Sequence, residues 1–451
     1  MHELLNDAAE RGIRYLEGLD TRSVVPTPEA LVNLVELDGA LPEEPTDAAT
    51  VLALLDDFGS PATVATAGPR FFGFVTGGSL PAALAANWLA GAWDQSPFAY
   101  KDSPIAATLE EIALRWLLDI FGLPPTCGGA FVTGATMANF CGLIAARHNV
   151  LKNVGWDVEA DSLFGAPPVT VIVGEEAHPA LFKSLGMLGL GRQRVVRVPV
   201  DGQGRIRSDA FPAISGPTIV CLQAGNVNTG AFDPAHELIP RAHEAGAWVH
   251  VDGAFGIWAA AAPARAHLIV GYAEADSWAT DAHKWLNVPY DSGLAFVRDS
   301  DSLRAALSTS AAYLPSPGER RDPSQYTPEA SRRGRGIEVW AALRSLGRLG
   351  LTDLIERTCR HAQRFAEGLG AAGYPILNEV VLNQVLVSFG DEAKTRRVIE
   401  AIQRDGTCWC GPTVWQGRTA MRISVSSWAT TEADVERSLA AMIRIASEKG
   451  S

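Results

Sequence analysis

The chain lacks the features that mark several large protein classes. No window is apolar for long enough to cross a bilayer, so no membrane span is expected. The six cysteines, Cys127, Cys141, Cys221, Cys359, Cys408 and Cys410, are scattered without zinc-ligand spacing. Cys408-Trp-Cys410 is CxC and not CxxC, so free thiols in a reducing compartment are expected. Excess positive charge is also missing. A net charge of −13 excludes a general nucleic-acid binder and docking on anionic lipid. There are no internal repeats and no low-complexity tracts. The start, Met1-His-Glu-Leu-Leu-Asn-Asp, has no signal-peptide core, and the expected location is cytoplasmic.

What is present is an ordinary globular composition. The 451 residues are 47% apolar and 20% charged, enough for one large core and a smaller one. Residues 1–80 read as a helical arm suited to packing on another subunit. Leu4, Leu5, Ala8, Ile13 and Leu16 recur at helical spacing until Pro26 and Pro28 break it. Thr27 is placed to cap a second helix, and Thr46-Asp47 to start a third. The stretch Gly68–Pro81 mixes glycines with Phe71, Phe72 and Phe74, which are expected to wall a substrate pocket.

Residues 81–340 form the expected large domain. Helical patterns cover Ala82–Ala92 and Pro104–Phe121, the latter with Glu110, Glu111, Arg115 and Asp119 expected outward. Strand patterns then recur at Ala130–Val132, Val169–Val173, Val195–Val200, Thr218–Leu222 and Trp248–Val251. Gly134–Asn139 reads as a turn, with a helix from Phe140. The alternation predicts an α/β domain around a largely parallel sheet, with ligands beyond the carboxyl ends of its strands. Residues 341–451 are expected as a small α+β domain. A polar loop from Ser316 and the basic cluster Arg332-Arg-Gly-Arg335 precede it. It holds a long helix from about Ile337, strands at Gln384–Phe389 and Met421–Ser426, and a last helix after Thr430.

Four polar signals fall at successive strand ends. Thr133-Gly-Ala-Thr136 offers helix-start amides and a hydroxyl for a phosphate. It is not a P-loop, because no GKS/T follows. His178 follows the Val169–Val173 strand, where an imidazole can lie flat on an aromatic cofactor. Asp252 ends an apolar strand, where a carboxylate can hold a proton on a pyridine nitrogen. Ala254 gives the ring a small apolar face. Lys284 sits between apolar segments, where desolvation makes an amine a nucleophile. The set predicts a Schiff base between Lys284 and pyridoxal 5′-phosphate.

In that order, with Val-Asp252-Gly-Ala254 and His283-Lys284-Trp285 as the most specific matches, the chain resembles the group II pyridoxal-phosphate decarboxylases. These include the aromatic-amino-acid and glutamate decarboxylases, and the likeness runs from about Gly68 to the C-terminus. It implies the fold-type-I architecture (aspartate-aminotransferase-like, with a mixed, mostly parallel seven-stranded sheet) and a homodimer with the active site at the interface. It assigns the Schiff base to Lys284, ring stacking to His178, the pyridinium contact to Asp252 and phosphate contacts to Ala135, Thr136 and His283. Tyr313 resembles the mobile-loop tyrosine that protonates the carbanion after CO2 leaves. Relatives with phenylalanine there tend towards aldehyde formation, so tyrosine leans towards plain decarboxylation. Two positions depart from the pattern. Asp281 replaces the usual asparagine near the phosphate, and Asn226-Val-Asn-Thr229 replaces a threonine-rich run.

The expected reaction is decarboxylation of an L-amino acid, an aromatic one favoured by the phenylalanines. Rival readings are aldehyde formation, transamination, cysteine desulfuration through Cys408 or Cys410, and a non-catalytic binding protein that keeps the fold.

Overall fold

The computed structural model describes residues 1–308 and 320–449. Tyr313 lies outside the described residues. The large domain is built on seven strands: β1 Gly128–Val132, β2 Thr170–Gly174, β3 Val196–Val198, β4 Thr218–Gln223, β5 Trp248–Asp252, β6 Ser277–Asp281 and β7 Gly293–Val297. Their order is β1-β7-β6-β5-β4-β2-β3. β7 runs antiparallel to both its neighbours, and the remaining neighbours pair in parallel. Every residue of β1 and of β4 to β7 is buried. That is why these strands read as continuous apolar runs and not as alternating ones.

Each face of the sheet packs on its own core. Against one lies the helix Ala135–Lys152, in a cluster with Val132, Ile144, Leu151, Val173 and Leu185. On the other, Phe121 meets Trp258 and Phe296 edge-on, at 4.9 and 5.7 Å between centroids.

The small domain has three antiparallel strands, β8 Gln384–Val387, β9 Gly411–Trp415 and β10 Arg418–Ser424, in the order β8-β10-β9. Its helices are Glu392–Asp405, Glu432–Glu448 and the later part of Gly336–Ala371. The last carries a break at Gly347, whose φ of 59° lies in the left-handed region. Thr431 and Asp434 form a reciprocal cap on the final helix.

The helix His2–Glu17 buries none of its residues. Thr27 caps Pro28–Val32 as its sequence predicts, its hydroxyl accepting from the Ala30 amide at 3.1 Å. The segment Arg70–Phe72 belongs with the small domain. The Phe72 amide donates to Trp409 O at 2.8 Å, and the Ser424 amide to Phe72 O at 2.9 Å.

Three expectations need correction. Phe72 packs edge-on against Phe365 in the small-domain core and is not a pocket wall. Glu110 does not face solvent. It is fully buried and receives both guanidinium nitrogens of Arg332, at 2.6 and 2.9 Å. The basic cluster supplied its partner, which helical periodicity alone cannot reveal. The stretch 135–139 is not a turn but the opening of the helix Ala135–Lys152, so Asn139 is a buried helical residue.

Candidate active site

Because β7 runs antiparallel to both β1 and β6, β1 points the same way as the parallel strands, and the ends of β1, β2, β5 and β6 share one edge of the sheet. There the structure gathers the segments carrying Thr136, His178, Asp252 and Lys284. Asp281 closes β6, and the turn Ala282–Asn287 brings Lys284 back over it, so Lys284 Nζ lies 2.9 Å from Asp281 Oδ2. The other oxygen, Oδ1, accepts from the Ala135 amide at 2.5 Å, at the start of the helix Ala135–Lys152. The carboxylate thus occupies the helix N-terminus and is paired, which is the condition for tolerating an anion nearby.

Asp252 is the last residue of β5 and is buried. Oδ1 accepts from the Ala254 amide at 3.2 Å and Oδ2 from Asn139 Nδ2 at 3.1 Å. Among the described residues no cation stands within ion-pair distance of it. A buried carboxylate needs one or costs several kcal/mol.

The imidazoles are fixed by backbone amides. His178 is the N-cap of the helix Pro179–Met187, its Nδ1 accepting from the Ala180 amide at 3.2 Å. Neutral His178 therefore carries its proton on Nε2. Burial pushes its pKa down, opposed by the charge of Asp252 and reinforced by Lys284 and Arg422. His283 Nδ1 accepts from the Ser292 amide at 3.0 Å, and its Nε2 lies 3.5 Å from Asp281 Oδ1. Burial lowers this pKa too, against the pull of Asp281. The Tyr290 ring lies on His283 at 4.4 Å.

The segment before the first large-domain helix passes directly under the lysine. A Cβ on Gly77 would stand 2.0 Å from the Lys284 carbonyl oxygen, so only glycine fits. Asn287 ties the region together. Its Oδ1 accepts from the Gly78 and Trp428 amides at 2.7 and 2.9 Å, and its Nδ2 donates to Trp285 O and Ser426 O. A little upstream, Phe71 stacks on Trp409 at 4.9 Å and Phe74 tilts over it at 5.3 Å. Phe71 is buried, and Phe74 is 65% exposed.

Sequence reasoning missed Arg422. It sits on β10, donates to Val227 O at 3.3 Å, and has no ion-pair partner among the described residues. Burial pushes its pKa down to about 10, so it stays cationic near neutrality. The available signal was a charge inside an apolar strand run. The loop Asn226–Thr229 is tied both within itself and to the small domain. Asn226 Oδ1 accepts from the Asn228 and Thr229 amides, while Asn228 Oδ1 accepts from the Thr413 hydroxyl.

These residues fit a flat, phosphorylated aldehyde of the pyridoxal type. Lys284 offers the amine, and Asp252 an acceptor with free lone pairs and no cation. Gly134 leaves an open approach at the helix start, where a Cβ would come within 3.2 Å of the His283 ring. The buried Ser292 hydroxyl has no hydrogen-bond partner among the described residues.

Comparison with known proteins agrees. The model of the pyridoxal-dependent decarboxylase conserved domain matches residues 28–389. Tryptophan decarboxylase 1 of Oryza sativa is 27% identical over 403 residues, covering 80% of this chain and 77% of that protein. An acidic amino acid decarboxylase of Mus musculus is 30% identical over 308 residues, covering 65% and 55%. The crystal structure of the Oryza sativa tryptophan decarboxylase with pyridoxal phosphate and tryptamine superposes with a TM-score of 0.90 at 24% identity, covering 99% and 97%. The chain belongs to the pyridoxal-dependent decarboxylase family, as an amino-acid carboxy-lyase whose cofactor is pyridoxal 5′-phosphate.

Proposed function

We propose that the protein decarboxylates an aromatic L-amino acid to its amine and CO2. Bound pyridoxal phosphate supplies the electron sink that accepts the pair left behind as CO2 departs. Lys284 would hold its aldehyde carbon, Asp252 a proton at its ring nitrogen, and His178 would cover its ring. The phosphate would fall to Thr136 and His283, displacing Asp281 from the Ala135 amide, with Ala254 against the ring. Arg422, a half-buried cation without a carboxylate of its own among the described residues, is suited to the substrate's α-carboxylate.

The observation that supports this reading best is Asp252. A buried carboxylate at a strand end, oriented by two donors and lacking a cation, calls for a protonated ring nitrogen. The aromatic preference rests on Phe71, Phe74 and Trp409 and on the similarity to a tryptophan decarboxylase. The Mus musculus relative is named for acidic substrates, so the substrate panel below includes both classes.

Desulfuration is disfavoured. Cys408 and Cys410 are fully buried, and burial holds the Cys410 thiol well above its usual pKa. For the described residues, no helix is long and apolar enough to cross a membrane. A cytoplasmic location remains part of the proposal.

The homodimer is also proposed. The apolar residues Leu5, Ile13, Val32, Val35 and Leu55 of the first helices are exposed, as are Trp88 and Trp93. A second copy of this chain would cover them. Light scattering should give twice the chain mass, and a monomer at micromolar concentration would refute the dimer.

The deciding experiment is to load the protein with pyridoxal phosphate and assay CO2, amine, aldehyde, ketoacid and sulfide from aromatic, aliphatic and acidic L-amino acids. Equimolar CO2 and amine from an aromatic substrate is the expected result. Ketoacid without CO2 would defeat the proposal. Tyr313→Phe should slow amine formation and divert product to aldehyde, and an unchanged rate and product would remove Tyr313 from the reaction.

A further inference from the structure

Behind Asp252 lies a buried chain of hydrogen bonds that no part of the proposed reaction has used. Period-two geometry puts Trp248, His250 and Asp252 on one face of β5, towards the helix Ala135–Lys152. Ser277 stands opposite His250 in the β5–β6 register. Trp248 Nε1 lies 2.9 Å from Ser277 Oγ, and Ser277 Oγ 2.8 Å from His250 Nδ1. His250 Nε2 lies 2.8 Å from Asn139 Oδ1, and Asn139 Nδ2 3.1 Å from Asp252 Oδ2. Asn139, His250 and Ser277 have no exposed surface. Gly142 makes room for the imidazole, since a Cβ there would stand 2.6 Å from the ring.

The direction of every bond is set from the Asp252 end. A carboxylate can only accept, which fixes the Asn139 amide with its nitrogen towards Asp252 and its Oδ1 towards His250. His250 Nε2 therefore donates to Asn139 Oδ1, and Nδ1 of the neutral ring accepts the Ser277 proton. The Trp248 indole N–H, which can only donate, fills a lone pair of Ser277 Oγ. All four donors point the same way. Burial pushes the His250 pKa down to about 3, so the ring is neutral at working pH and the chain does not reverse by protonation. Aligned bonds in a low-dielectric interior polarise one another.

We propose that His250 and Asn139 are positioning residues that act through Asp252. They hold its Oδ2 as an acceptor, so that the other lone pairs face the cofactor ring and keep the ring nitrogen protonated. The inference rests on the cofactor reading above. The amide N–H donated to Oδ2 stabilises Asp252 as a carboxylate, so the proton shared between Asp252 and the ring rests on the ring nitrogen.

The test uses full-length protein loaded with ¹⁵N-labelled pyridoxal phosphate and reads the ring-nitrogen chemical shift. Wild type should show a protonated nitrogen. Asn139→Leu and His250→Leu should move the signal towards the unprotonated position and lower kcat about tenfold or more with KM little changed. That loss corresponds to one or two charge-assisted hydrogen bonds. His250→Gln keeps one acceptor and one donor in series and should restore the protonated signal. A ring-nitrogen signal unchanged in both leucine variants would overturn the proposal. Should those variants fail to fold, the imidazole ¹⁵N shifts of wild-type His250 decide. The Nε2–H tautomer supports the relay, and the Nδ1–H tautomer overturns it. Failure of the cofactor reading looks different, since wild type would then carry no bound cofactor at all, and both conclusions would fall.

Discussion

Two buried clusters of charge can be compared. Around Glu110, Arg332 binds both carboxylate oxygens and Arg321 approaches to 3.8 Å. Nearby, Glu338 takes Arg333 and the Asn87 amide, and Asp291 takes Arg335. Around Asp252 the inventory is similar, with a carboxylate, an amide, imidazoles, a lysine and an arginine, but the pairing is incomplete. Among the described residues Asp252 has donors without a cation, and Arg422 a carbonyl without an anion. Buried charge alone therefore does not mark the active site. A buried charge left without a counter-charge among the described residues does, because a desolvated ion without its counterpart is held there at a cost.

The sharpest way to break that comparison is at Lys284. Lys284→Ala should abolish turnover and the borohydride-reducible bond to pyridoxal phosphate. Peptide mapping that still finds the cofactor fixed to another lysine, such as Lys183, would refute the assignment. Next in size is the paired cluster. Glu110→Ala leaves Arg332 buried without its partner and should cost about 3–5 kcal/mol in urea unfolding. Glu110→Leu combined with Arg332→Leu should recover much of it, as a cluster that serves structure alone allows. Arg422→Leu should leave stability nearly unchanged and raise KM for the amino acid about ten- to a hundredfold, the worth of one charged contact. A loss of folding with normal KM would move Arg422 into the structural class. Trp409→Ala should reduce the preference for aromatic over aliphatic substrates by about tenfold, within the range an apolar pocket delivers. That outcome is read from kcat/KM ratios.

The last expected effect is on acid stability. The folded-state pKa of His250 is depressed from 6.5 to about 3. Its contribution is thus fully present above pH 6.5 and is lost as pH falls from there towards 3. His178 and His283 shift in the same direction. The Tm of His250→Gln should fall less steeply than that of wild type between pH 6.5 and 4. Parallel curves would show that burial of this ring does not set the acid limb.

Much of the fold was legible because the large sheet is buried on both faces. Its strands announced themselves as apolar runs, and their carboxyl ends carried Thr136, His178, Asp252 and Lys284 in order. β9 escaped notice, since its residues alternate between half-buried and exposed on a sheet edge and include a proline. Gly134–Asn139 looked like a turn because glycine, threonine and asparagine favour turns. Burial against β5 and β6 makes it helix instead.

The order of the motif residues, the lysine and the family they indicate were set by the sequence, because each sits at a strand end that local pattern can find. Tertiary structure decided what those residues meet. It sent Glu110 inward to Arg332, turned Phe72 into a core residue, placed Arg422 near His178 and set Asn139 behind Asp252. Such contacts join segments more than a hundred residues apart, and no local periodicity encodes which side chains will share a low-dielectric space.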